Sequence, residues 1–127
     1  MNGERSAEGR SEVILELGAE GGRITLYGRR NPGGWLYSTK TIDQSLLLFD
    51  EGPEIRKESE VVDSWEAALG LINRYPWHRL NPRVVLPEFR EKIWAAVQSR
   101  FASDQRRVED RQLKLERWRE VCARPKA

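Results

Sequence analysis

Val13-Ile14-Leu15-Glu16-Leu17, then Gly18-Ala19-Glu20-Gly21-Gly22, then Arg23-Ile24-Thr25-Leu26-Tyr27 follow one another directly, and their reading decides the fold. Two runs rich in leucine and β-branched residues flank a glycine-rich five-residue loop, the pattern of an antiparallel hairpin. Side chains alternate along a strand, so Val13, Leu15 and Leu17 share one face of the first strand, and Ile24 and Leu26 one face of the second. Those faces are expected to meet the core.

Downstream, Asn31-Pro32-Gly33-Gly34 is a strong turn signal, and Trp35 to Ile42 reads as a third strand. Leu46-Leu47-Leu48-Phe49 or the segment from Glu54 to Val62 offers a fourth. A sheet this small needs a helix on its apolar face. Asp63 suits an N-cap, Glu66 completes a capping box and Val62 with Ala67 a hydrophobic staple. Trp65, Ala68, Leu69 and Ile72 then form a helical stripe that must end before Pro76.

A second helix is expected to start at Pro87, with Glu88 near the positive end of its dipole. Phe89, Ile93, Val97 and Phe101 recur every four residues, with Trp94 beside them. Beyond Ser99 the pattern thins. Trp94, Phe101, Val108, Leu115 and Cys122 fall in a heptad row, but its companion row reads Val97, Asp104, Arg111, Trp118, and two charges spoil a coiled-coil seam. The expectation is a long helix reaching about Val121, with Ser103 as the place for a kink or a restart.

The fold class is therefore α+β: a small antiparallel meander of three to four strands covered by a helix, followed by a long C-terminal helix. Residues 1–12 read as a flexible N-terminus, 13–98 as a single α+β domain, and 99–127 as a basic helical extension.

Composition agrees with a folded domain. The 127 residues include five tryptophans, 39% hydrophobic and 33% charged residues, a globular balance with a very polar surface. The longest apolar run, Leu46 to Phe49, is far short of the ~20 residues of a membrane span. Met1 to Glu12 holds no apolar segment of the secretory type, and Cys122 stands alone, so a cytoplasmic protein without a disulfide framework is expected.

Net charge is only +2, but it is unevenly spread. Residues 50–66 carry a balance of −5, and residues 98–127 a balance of +4. Such lopsidedness can steer a charged partner or dock one copy on another.

Side chains that carry chemistry are few. One cysteine and one histidine, 44 positions apart, do not make a zinc set, and no cofactor is expected. The Gly18–Gly22 loop lacks the Lys-Ser/Thr end of a phosphate loop. Arg74-Tyr75-Pro76-Trp77-His78-Arg79-Leu80-Asn81-Pro82 instead concentrates the sole histidine, two aromatics and two arginines in a proline-stiffened connector between helices. Tyr75, Trp77, His78 and Arg79 read either as a rigid corner capping the core or as a partner-binding hot spot, because Trp, Tyr and Arg concentrate interface energy. His78 as a general base ranks well behind both.

The segments Glu16 to Gly22, Ile24 to Gly28, Trp65-Glu66-Ala67-Ala68-Leu69, Arg74 to Leu80 and Pro87-Glu88-Phe89-Arg90 with Trp94 resemble a family of small uncharacterised bacterial proteins. The resemblance covers roughly residues 13 to 98. It implies a bacterial cytosolic setting and carries over no catalytic residues; Leu86 stands where relatives have histidine.

The leading expectation is a non-enzymatic bacterial protein-interaction or regulatory module, with a protein partner or self-association. The alternative is an accessory nucleic-acid-binding protein, in which Arg100, Arg106, Arg107, Arg111, Lys114 and Arg117 neutralise phosphates and Trp118 stacks on a base.

Overall fold

Alternating apolar and polar residues close into the expected meander in the computed structural model, which describes residues 10–19, 22–43, 55–104 and 108–124. Strand β1 (Ser11–Ala19) pairs antiparallel with β2 (Gly22–Asn31), Leu17 opposite Ile24. Strand β3 (Gly34–Asp43) pairs with β2 along its whole length. The turn between them needs Gly34, which sits at φ +128, a region closed to most L-residues, and beside it the Gly33 N–H donates to Asn31 Oδ1 at 3.1 Å.

A short β4 (Ile55–Glu58) extends the sheet beside β3, within the second of the two segments expected to supply a fourth strand. Leu46 to Phe49 lies outside the described residues, as does the N-terminal lead-in up to residue 9. A fifth strand was not expected. Strand β5 (Asn81–Val85) pairs antiparallel with the free side of β1, giving the order β4-β3-β2-β1-β5. Pro82 hides this strand in the sequence, since proline cannot donate to a ladder and is confined to sheet edges; β5 is an edge.

The first strand departs from simple alternation at a register shift between Val13 and Leu15. The bulge turns Ile14 inward, so the buried set is Ile14, Leu15 and Leu17, while Val13 is only half-buried. Across the ladder the Ile14 side chain lies over Gly28, where any Cβ would collide with it and with Trp35.

Helix α1 (Trp65–Ile72) begins one residue later than Asp63 as cap would have it. Ser64 is the N-cap, and its Oγ accepts from the Ala67 N–H at 3.1 Å. A 3₁₀ turn at Pro87–Phe89 leads into helix α2 (Arg90–Ala102). The single long helix does not form. The N–H groups of Ser103 and Asp104 bond back to Arg100 and Phe101 at 3.2 and 3.1 Å, ending α2, and α3 (Val108–Ala123) is a separate helix. It returns along α2, since the Arg119 guanidinium lies 5.8 Å from the Trp94 ring centroid.

All three helices pack on one face of the sheet. Ile14, Leu17 and Leu26 meet Ala68 and Ile72 from α1, Ile93, Val97 and Phe101 from α2, and Trp118, Val121 and Cys122 from α3 in one continuous core. Trp118, Val121 and Cys122, within the segment expected as a basic helical extension, are thus part of this core. Each large side chain so buried contributes about 1.5–3 kcal/mol. Trp35, Tyr37, Trp65 and Phe89 form an aromatic cluster at one end, with ring centroids 5.0–6.4 Å apart. Among the described residues no helix is long and apolar enough to cross a membrane.

Candidate functional site

Pro76 ends the path from α1, and the next three residues, Trp77–Arg79, form a 3₁₀ turn that feeds β5. This turn drives the corner into the core. Trp77 is fully buried and His78 is 5% exposed. Tyr75 is half-buried and Pro76 and Arg79 are exposed, so the solvent side of the corner belongs to those three.

The ring nitrogens of Trp77, His78 and Trp118 all have partners. The Trp77 Nε1–H donates to Asn73 Oδ1 at 2.7 Å, and the Trp118 Nε1–H to the His78 carbonyl at 3.0 Å. The two indoles meet edge to face with centroids 5.5 Å apart, and His78 meets Phe101 similarly at 4.9 Å.

The histidine ring is held from both sides. Arg100 Nε donates to His78 Nδ1 at 3.3 Å, and an arginine N–H cannot accept, so Nδ1 carries no proton. The remaining Nε2–H donates to Asp104 Oδ2 at 2.7 Å. Burial, with Arg100 and Arg79 nearby, pushes the His78 pKa below its ordinary value against the pull of Asp104. The ring is therefore a neutral tautomer locked between a cation and an anion.

Asp104, at the joint between α2 and α3, is the residue that sequence reading missed. Its side chain is 1% exposed and also receives Arg79 Nε at 3.0 Å and Nη2 at 3.3 Å. Arg111 Nη1 reaches its carbonyl at 3.5 Å. Its one signal was position: the row Val97, Asp104, Arg111, Trp118, set aside because of its charges, is the row that faces inward.

Several of the described residues of the alternative site are engaged within the fold. Arg100 is committed to His78 and, through Nη2, to the Tyr75 carbonyl at 3.2 Å. Lys114 Nζ reaches Asn81 Oδ1 at 3.4 Å. Trp118 is fully buried and has no face to offer a base. Arg117 is exposed, and Arg106 and Arg107 lie outside the described residues.

Cys122 is buried against this core, which pushes its thiol up to about 11 and away from nucleophilic use. No group of three metal-ligating side chains occurs among the described residues. No protein-family model, curated protein or solved structure matches the chain.

Proposed function

We infer that the chain is a non-enzymatic bacterial interaction module that binds a protein partner through the solvent side of the Tyr75 to Arg79 corner. The observation that carries this reading is the saturation of the corner's inner side. Both ring nitrogens of His78 are bonded within the fold, so a proton could be taken from a substrate only by dismantling a buried network. A corner held this firmly offers its outer side preformed, which lowers the entropy lost on binding. In this reading Trp77 and His78 set the shape from below, while Tyr75 and Arg79 touch the partner.

The basic-helix alternative has less support. Arg100 and Lys114 are hydrogen-bonded within the fold, and Trp118 is buried.

Immobilised protein and a Tyr75→Ser variant, challenged with bacterial lysate with and without nuclease, test the reading. Tyr75→Ser removes a half-buried ring while leaving the bonds to Asp104 in place. Capture of a defined protein that survives nuclease and is lost with Tyr75→Ser is expected. Capture that nuclease abolishes overturns the reading in favour of nucleic acid; capture indifferent to the substitution overturns the corner as the site.

A further inference from the structure

The opposite face of the sheet carries a depression of about 420 Å³, within the size range of small-molecule sites. Its floor follows from register. Glu16, Thr25, Lys40 and Glu58 stand in one cross-strand row over β1, β2, β3 and β4, spaced by the ~4.8 Å between neighbouring strands. The helices pack on the other face, yet Thr25 is only 6% exposed, because the longer side chains around it form walls.

Those walls carry unmatched charges of both signs. Arg23 lies two residues from Thr25 on the same strand face. The Lys40 ammonium sits 5.3 Å from the centroid of the Tyr27 ring, although Glu58 stands opposite Lys40 in register. Among the described residues, none forms a hydrogen bond or ion pair with the side chains of Glu16, Arg23 or Glu58. Arg23 and Lys40 therefore flank the nearly buried Thr25, Glu16 stands one strand away, and Lys57 and Glu58 line the far end.

We propose that this depression binds a free α-amino acid. The ligand's carboxylate lies over the Thr25 hydroxyl between Arg23 and Lys40. Its ammonium, attached to the same carbon, faces Glu16 on the neighbouring strand. Its side chain runs along the row toward Glu58, which favours a polar or cationic one. A simple anion would leave both glutamates unmatched and repelling it; a simple cation would meet Arg23 and Lys40. The site lies away from the corner and does not rest on the partner reading.

Titration of the ¹⁵N-labelled full chain with each of the L-amino acids, followed by amide NMR, tests this. Saturable shifts at Thr25 and Lys40 are expected from at least one amino acid with Kd at or below about 1 mM. The N-acetyl and carboxamide derivatives of that amino acid are expected to bind at least about tenfold more weakly, as are Glu16→Gln and Arg23→Met variants whose spectra show an intact fold. Absence of saturable shifts at these residues for every amino acid overturns the proposal. So does equal binding of inorganic phosphate or of the blocked derivatives, which reduces the site to a patch for single charges.

Discussion

Asp104 Oδ2 accepts the Nε2–H of His78 at 2.7 Å, and both side chains are buried, so the joint between α2 and α3 is fastened to the corner that precedes β5. Removing the carboxylate strands the His78 N–H and frees Arg79. Asp104→Ala is expected to cost about 3 kcal/mol, the order for breaking a buried charged pair from one side. Asp104→Asn, which keeps an acceptor, is expected to cost about 1–2 kcal/mol. Urea denaturation of the two variants measures both.

The same ring makes stability depend on pH. Burial holds the folded pKa of His78 below its ordinary 6.5, so between the two values the unfolded chain binds more protons. The contribution of the neutral ring is complete above about pH 6.5 and is lost as pH falls through the lower folded value. Denaturation midpoints measured stepwise from pH 7 to pH 5 should fall more steeply for the wild type than for His78→Gln, which does not titrate. Parallel curves would mean that other groups carry the acid dependence.

Trp118 serves the corner twice, by its ring against Trp77 and by its N–H on the His78 carbonyl. Trp118→Phe keeps an aromatic edge but leaves that carbonyl unpaired, for an expected loss of about 1–3 kcal/mol. Trp118→Ala adds a cavity and is expected to lose about 3–5 kcal/mol. Thermal unfolding of both variants separates the hydrogen bond from the packing.

Ser64 and Asp63 both look like helix caps, but only one does the capping. Ser64→Ala is expected to destabilise by about 1 kcal/mol, since Ser64 Oγ accepts from the Ala67 N–H. Asp63→Ala is expected to stay within about 0.5 kcal/mol, as for other exposed substitutions. Reversed magnitudes in chemical denaturation would move the cap back to Asp63.

Cys122 is expected to be inert in the folded protein, because its thiol is buried and pushed up to about 11. Reaction with an aromatic disulfide reagent at pH 8 should be slow in buffer and complete within minutes in concentrated urea. Rapid labelling without denaturant would show that α3 leaves the core easily.

What could be read in the sequence tracks how local each signal is. The strands β1 to β3 came from alternation and the Gly18–Gly22 and Asn31–Gly34 turns, all contained within a few residues. The β1 bulge was invisible because it depends on Ile14 crossing to Gly28. Strand β5 was masked by Pro82, whose meaning depends on its place at the edge. The helix break near Ser103 was legible only as an option, since Ser103 suits a cap as well as a helix surface. At the corner, residue types pointed to the right place, but the direction of Trp77 and His78 is set by Asp104, Arg100 and Trp118, which lie 22 to 41 residues downstream in the chain. A charge in a row of apolar positions looks like a flaw in a seam, but at Asp104 it is the anchor of the network.

The place of β1 between β2 and β5 has a consequence for how the chain is made. During synthesis the meander can form once β3 has emerged, but β1 then has one side bare, with the Ile14 carbonyl waiting for the Leu86 N–H it accepts at 2.8 Å. An uncovered strand edge of this composition invites pairing with another nascent chain. Only the arrival of Asn81 to Leu86 closes it. A chain cut short before Val85 would therefore be a sticky fragment, and the interval between β3 and β5 is the time for which a chaperone would be needed.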